Sequence, residues 1–229
     1  MLQSIATSPN YKWGVFGAIG IGTFMSALDS GSVLVALPDI EGHFGADLPT
    51  VQWVILGYAL AISVFMLPMG RLGDIVPRKH IYVLGFVIFV LAAGLAGGSP
   101  NLGTLITAKV IQGIGSAMIQ GNGMATIISA FPDTERGRAL GYHLSVVASG
   151  AIAGPAVGGF LISALDWRWV FFINVPIGIV TIVVSVLVLS SDQRVQGAAR
   201  AARSTFDWLG AILSGVALLL FLLAMGNGD

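Results

Sequence analysis

No cysteine occurs in the 229 residues, which excludes a disulfide framework and any thiolate metal site. The three histidines, His43, His80 and His143, are scattered without ligand spacing, so no metal is expected. Charge is scarce: 10% of residues carry it, against about 25% in an ordinary soluble domain. Eleven basic and eleven acidic residues cancel, which leaves no surface for nucleic acid and no acidic tail. No motif for an intramembrane enzyme is present: there is no His-Glu-x-x-His, no Gly-x-Ser-x-Gly and no pair of catalytic carboxylates within an apolar run. Nothing calls for a cofactor.

What remains is apolar. Hydrophobic residues make up 55% of the chain and the mean hydropathy is +0.89, so the expected partner is a lipid bilayer. A helix needs about 20 residues to cross the hydrocarbon layer. Seven segments reach that length, roughly 14–37, 51–70, 80–98, 102–130, 140–164, 169–189 and 208–225. None alternates with period two, so helices and not barrel strands are expected, and the fold class is an all-α membrane protein. The first run is too long for a signal-peptide core and meets Pro38-Asp39-Ile40-Glu41 where a cleavage site would need small residues. It is expected to be retained as a span.

The links between spans predict orientation. Lys12, Arg71, Arg78, Lys79, Arg136, Arg138, Arg194, Arg200 and Arg203 fall on one side of an alternating topology, and Arg168 on the other. Basic residues collect on the cytoplasmic side, so the N-terminus is expected there, in the plasma or inner membrane of a cell.

Two charges lie where charge is costly. A carboxylate at the centre of a spanning helix costs about 2.5–3.5 kcal/mol on insertion scales. Asp29 stands alone between apolar stretches, roughly 24 Å along the helix from Trp13 and about 13 Å from Pro38. Lys109 lies about 12 Å into the fourth span from Asn101, at matching depth. The first and fourth helices are therefore expected to be neighbours, with Asp29 and Lys109 facing a shared polar cavity as an ion pair. Gly22, Met25, Ser26, Asp29, Ser32 and Ala36 form one small or polar stripe, and Lys109, Gln112, Ser116 and Gln120 another. Facing one another, the stripes would wall a pathway, with Gln112, Ser116 and Gln120 as substrate contacts. The plainer alternative is a snorkelling Lys109 and a structural Asp29, but a lysine stem spans only about 6 Å. Desolvation penalises a charged carboxylate and a nearby cation favours it, so Asp29 is a candidate proton switch with Lys109 as its partner. Gln52, Trp53, Tyr58, Tyr142, Asn174 and Pro176 read instead as packing or interfacial anchors.

Several stretches, in order, resemble one family. GRLGDIVPRK (70–79) resembles the loop between the second and third helices of the major facilitator superfamily, LITAKVIQGIGSAM (105–118) its fourth-helix motif, and GAIAGPAVGGFL (150–161) its fifth-helix antiporter motif. LDSGSVLVALP, WRWVFFINVPIG and FDWLGA are similar to the fourteen-spanner drug:proton antiporter branch. The resemblance implies a six-helix N-terminal half plus one additional span. Residues 1–12 would then be a cytoplasmic N-terminus, 13–189 the six-helix half, 190–207 a cytoplasmic Arg-rich linker and 208–229 the seventh span with a truncated end. Substrate in such proteins binds between two halves near the midplane, so the chain would be a fragment, inactive without the C-terminal half of the same polypeptide.

The implied activity is proton-coupled export of a lipophilic small molecule by alternating access, as in multidrug efflux; the single acidic residue is the only hint of a cationic substrate. A transport-inactive sensor or scaffold keeping the fold is the alternative. The resemblance also implies a charged latch at Gly70, Asp74, Arg78 and Lys79, and a fifth helix at Gly150, Gly154, Pro155, Gly158 and Gly159 that closes the pathway to proton leak. Pro77 stands where the family usually has glycine, and Lys109 where it usually has arginine.

Overall fold

The computed structural model describes residues 11–189 and the isolated positions 213 and 217. The expected linker and most of the seventh span lie outside the described residues. Among the described residues the regular structure is helical: α1 (Tyr11–Phe44), α2 (Leu48–Ile75), α3 (Arg78–Gly97), α4 (Leu102–Ala130), α5 (Arg136–Ala164), α6 (Trp169–Phe172) and α7 (Asn174–Val188), with a 3-10 turn at Asp133–Glu135. By length and composition they supply six candidate membrane spans, α6 and α7 together making the sixth. The end of the bundle at which α1 finishes is its upper end.

Two helices run further than the hydropathy suggests. α1 continues through Pro38, although the ring forfeits a main-chain hydrogen bond. Leu37 and Ile40 on either side of it are buried with Val51, Val54, Trp167 and Phe171, and that packing carries the helix on to Phe44. Gly45, at φ +59°, then ends it in the left-handed conformation that glycine adopts without a Cβ penalty. α2 likewise absorbs Gly70 to Ile75, so the stretch expected as a loop is the last turns of a helix. Only Val76, which is extended, and Pro77 link it to α3.

Small residues set the packing, as expected where lipid offers no hydrophobic drive for helices to associate. α1 and α5 run parallel with main chains in contact. A Cβ on Gly150 would sit 2.6 Å from the Phe24 carbonyl, one on Gly154 2.7 Å from that of Leu28, and one on Gly158 2.9 Å from that of Ser32. Gly113 and Gly121 bring α4 equally close to α2, and Gly115 brings it close to α3. α4 therefore lies between α2 and α3, and α1 between α5 and the rest.

Two apolar clusters result. The upper one holds Val33, Ala36, Leu105, Ala108 and Phe171; the lower one holds Val15, Ile19, Tyr82, Phe86, Ile119 and Phe131. Between them is a layer of buried polar side chains, and it contains both intramembrane charges.

Candidate functional site

Asp29 and Lys109 meet. The ammonium Nζ donates to Asp29 Oδ2 at 2.8 Å, and the two side chains are 0% and 1% exposed. The other oxygen, Oδ1, accepts from Asn174 Nδ2 at 2.8 Å and from Gln112 Nε2 at 3.3 Å. Three helices thus converge on one carboxylate: α4 with Lys109 and Gln112, α7 with Asn174, and α1 with the acid itself. Asn174 Nδ2 also donates to the Val170 carbonyl, across the break between α6 and α7.

Lys109 Nζ also lies 4.2 Å from the ring centroid of Tyr58 and 5.7 Å from that of Phe171. A cation over aromatic faces gains about 0.5–2 kcal/mol depending on desolvation. The phenol oxygen of Tyr58 belongs to a closed ring of hydroxyls. It donates to Ser116 Oγ at 3.0 Å, Ser26 Oγ lies 2.8 Å from Ser116 Oγ, and the third side, Ser26 to Tyr58, is 3.2 Å. Gln120 Nε2 feeds the ring from below through Ser116 at 2.9 Å. Alongside lies a cavity of about 380 Å³ between α1, α2 and α4, bordered by Ser30, Tyr58, Ser63, Lys109 and Gln120.

The polar stripes are arranged differently from the sequence expectation. Gly22, Met25, Ser26, Asp29, Ser32 and Ala36 are all buried inside the bundle, and so are Gln112 and Ser116. The stripes meet directly, through Asp29–Lys109, Asp29–Gln112 and Ser26–Ser116, rather than across an open pathway. Of the three expected substrate contacts, Gln120 borders the cavity; Gln112 is committed to Asp29 and Ser116 to the hydroxyl ring. Asn174 and Tyr58, read from sequence as packing, are in contact with the charge pair. An asparagine inside an apolar run was the available signal for the first; for Tyr58, only its depth relative to Lys109.

At the lower end Arg78 Nη2 donates to Asp74 Oδ1 at 3.1 Å and Arg78 Nη1 to the Ala125 carbonyl at 3.3 Å. Lys79 Nζ reaches the Val186 carbonyl at 2.8 Å, where the last turn of α7 has unpaired acceptors. Gly70 lies against Gly121, and Asn122 Nδ2 donates to the Met69 carbonyl at 3.0 Å, tying α2 to α4. Asn122 was not singled out in the sequence. Lys12 pairs with Glu135, joining the start of α1 to the turn before α5. On α5, Gly150, Gly154 and Gly158 face α1 with the Pro155 ring near Gly31, whereas Gly159 faces open space. Among the described residues no three His, Asp or Glu side chains gather into a metal-binding group.

Residues 19–228 match the sequence profile of the Major Facilitator Superfamily. The chain belongs to that superfamily. Among curated superfamily relatives it is 35% identical over 219 residues to the riboflavin transporter RibZ of Clostridioides difficile, covering 94% of this chain and 46% of the relative. It is 34% identical to the tetracenomycin C resistance and export protein of Streptomyces glaucescens, covering 88% of this chain and 36% of that one. The multidrug resistance protein Stp of Mycobacterium tuberculosis is 36% identical over 162 residues, 70% of this chain and 30% of Stp. The chain thus spans less than half the length of these relatives. Its fold matches that of a solved bacterial homologue of the human lysosomal transporter Spinster in an inward-facing, unoccupied conformation, with a TM-score of 0.72 over 82% of this chain and 45% of that one at 21% identity. The superfamily and these relatives are transporters, not enzymes.

Proposed function

We propose that the chain is the N-terminal half, with one further span, of a fourteen-spanner drug:proton antiporter that exports a lipophilic small molecule by alternating access. The observation that carries the proposal is the buried Asp29–Lys109 pair beside the 380 Å³ cavity. A charge so placed asks for a partner or a job, and an acid that meets protons is the group able to couple a gradient to a change of packing. Asp29 is the proton carrier in this reading, and Lys109 holds it when the proton has left. The cavity borders, Gln120 above all, contribute one wall of the substrate site, and the C-terminal half supplies the other. The exposed faces of α2 and α5, with Leu67, Ile152 and Phe160, await lipid or that second half.

The N-terminus is cytoplasmic in this scheme, following the basic residues. Asp74, Arg78 and Lys79 then form the inner latch of the outward-facing state, and the glycine face of α5 seals the pathway against proton leak. The relatives that export or resist drugs support export as the direction. The test is pH-driven efflux from everted vesicles carrying the full-length protein. Asp29→Asn is expected to abolish it while leaving membrane insertion intact; unchanged efflux in that variant removes Asp29 from the mechanism.

A further inference from the structure

Two amides donate to the same oxygen of Asp29, and both of their own oxygens, Gln112 Oε1 and Asn174 Oδ1, are buried without a partner; what differs is how firmly their N–H groups are held. Both N–H groups of Asn174 are engaged, one by Asp29 Oδ1 at 2.8 Å and one by the Val170 carbonyl at 3.2 Å. Turning that amide end for end would break two bonds and set Asn174 Oδ1 against the Val170 oxygen. Asn174 is therefore locked as a donor. Gln112 makes one bond, the long 3.3 Å contact from Nε2 to Asp29 Oδ1, and its Oε1 is buried with no partner. A buried acceptor without a donor is uncommon and asks for a reason.

We infer that Gln112 is a positioning residue that reads the charge state of Asp29: it donates through Nε2 to the carboxylate and turns to accept through Oε1 from the acid, while Asn174 donates in both states. The inference rests on the proton-carrying role proposed for Asp29. The exchange balances. A proton arriving from water adds to Asp29 Oδ1, one N–H···O contact from Gln112 is lost, and one O–H···O contact to Gln112 replaces it. Oδ1 keeps the bond from Asn174, and Oδ2 still accepts from Lys109. No water is needed to solvate the loaded acid, so the site can carry its proton while dry.

The other titratable groups near Asp29 fit this account. Lys109 from α4 pairs with Oδ2, and Tyr58 from α2 interacts with Asp29 while its hydroxyl is held by Ser26 and Ser116. Tyr82 from α3 spends its hydroxyl on the Ala18 and Ile19 carbonyls, further down α1. α5 meets this stretch of α1 through glycines, and α7 brings only the amide of Asn174.

Infrared difference spectra between high and low pH, taken on the full-length transporter in lipid, test the inference. The unmodified protein is expected to show a carboxylic-acid carbonyl band that Asp29→Asn removes. In Gln112→Met, which preserves volume, that band should move to the higher frequency of an acid lacking an acceptor. Glutamine carbonyls labelled with a heavy carbon isotope give a reading without substitution, since a glutamine amide band must change in step with the Asp29 band. An Asp29 band that stays put in Gln112→Met, or a glutamine band that ignores pH, overturns the inference while leaving proton coupling intact. The absence of any Asp29-dependent band in the unmodified protein removes the coupling reading itself and the inference with it.

Discussion

The face of Tyr58 lies 4.2 Å from the ammonium of Lys109, and its hydroxyl joins Ser26 and Ser116 in a closed ring. One side chain therefore touches the charge pair with its ring and the neutral polar layer with its tip. Tyr58→Phe keeps the first contact and drops the second; Tyr58→Leu drops both. Thermal unfolding in detergent should rank them, with Phe costing about 1 kcal/mol for the lost hydrogen bonds and Leu about 1 kcal/mol more for the lost cation–π contact. Equal losses would show that the ring face contributes nothing to holding Lys109.

Truncating Lys109 leaves a buried carboxylate without its cation, a change that typically costs about 3–5 kcal/mol. Lys109→Met should therefore destabilise the protein strongly, and the double variant Asp29→Asn, Lys109→Met should recover most of the loss. A double-mutant cycle on unfolding free energies measures this. Recovery of stability without recovery of transport separates the structural role of the pair from its coupling role.

Lys109→Arg asks a different question, since guanidinium can engage both carboxylate oxygens in a fork where ammonium meets one. Retained or improved proton-driven efflux would place the residue in the coupling role its family resemblance implies. Complete inactivity would show that this site, closed by Tyr58 and Phe171, takes only the smaller ammonium.

The glycines of α5 give a graded test of packing. Gly154→Ala would put a Cβ 2.7 Å from the Leu28 carbonyl, main chain that cannot swing aside, and should cost about 1–3 kcal/mol. Gly159→Ala, five residues on and facing open space, should cost nothing measurable. Comparing melting temperatures of the two in one detergent checks the assignment of faces.

Asp74 and Arg78 form a half-exposed pair across the link between α2 and α3, and exposed pairs of this kind contribute about 0–1 kcal/mol. Asp74→Asn should leave unfolding nearly unchanged. If the pair belongs to a latch, the same variant should alter transport rate well beyond any change in stability; parallel efflux and unfolding measurements decide between latch and ordinary surface pair.

Much of the spanning architecture was legible because hydropathy over about 20 residues is a strong signal and helices are the only open solution in lipid. The helix ends were less so. Pro38 and Gly70 read as breaks, yet contacts with Trp167 and Phe171 above and Gly121 below carry α1 and α2 past them. At the site, the pairing of Asp29 with Lys109 followed from matched depth, since two isolated charges in an apolar medium have few other options. Asn174 and Tyr58 read as packing or interfacial anchors for the opposite reason: an amide and a phenol are tolerated near membrane surfaces, and nothing local reveals that the fold turns them inward. Periodicity places Gln112 and Ser116 on one face, but a stripe shows which residues share a face and not what that face meets, here Asp29 and the hydroxyls of Ser26 and Tyr58.

The seam between α1 and α5 is main chain against main chain, with no large side chain of either helix keyed into the other at Gly150, Gly154 and Gly158. Knobs seated in holes lock a pair of helices in one register, whereas smooth surfaces let one rod tilt or creep along its neighbour by small increments. At this seam the helix that bears Asp29 is held by one buried hydrogen bond, from Ser32 Oγ to the Gly154 carbonyl at 2.8 Å, whereas on the opposite flank Lys109, Gln112 and Asn174 all grip the acid.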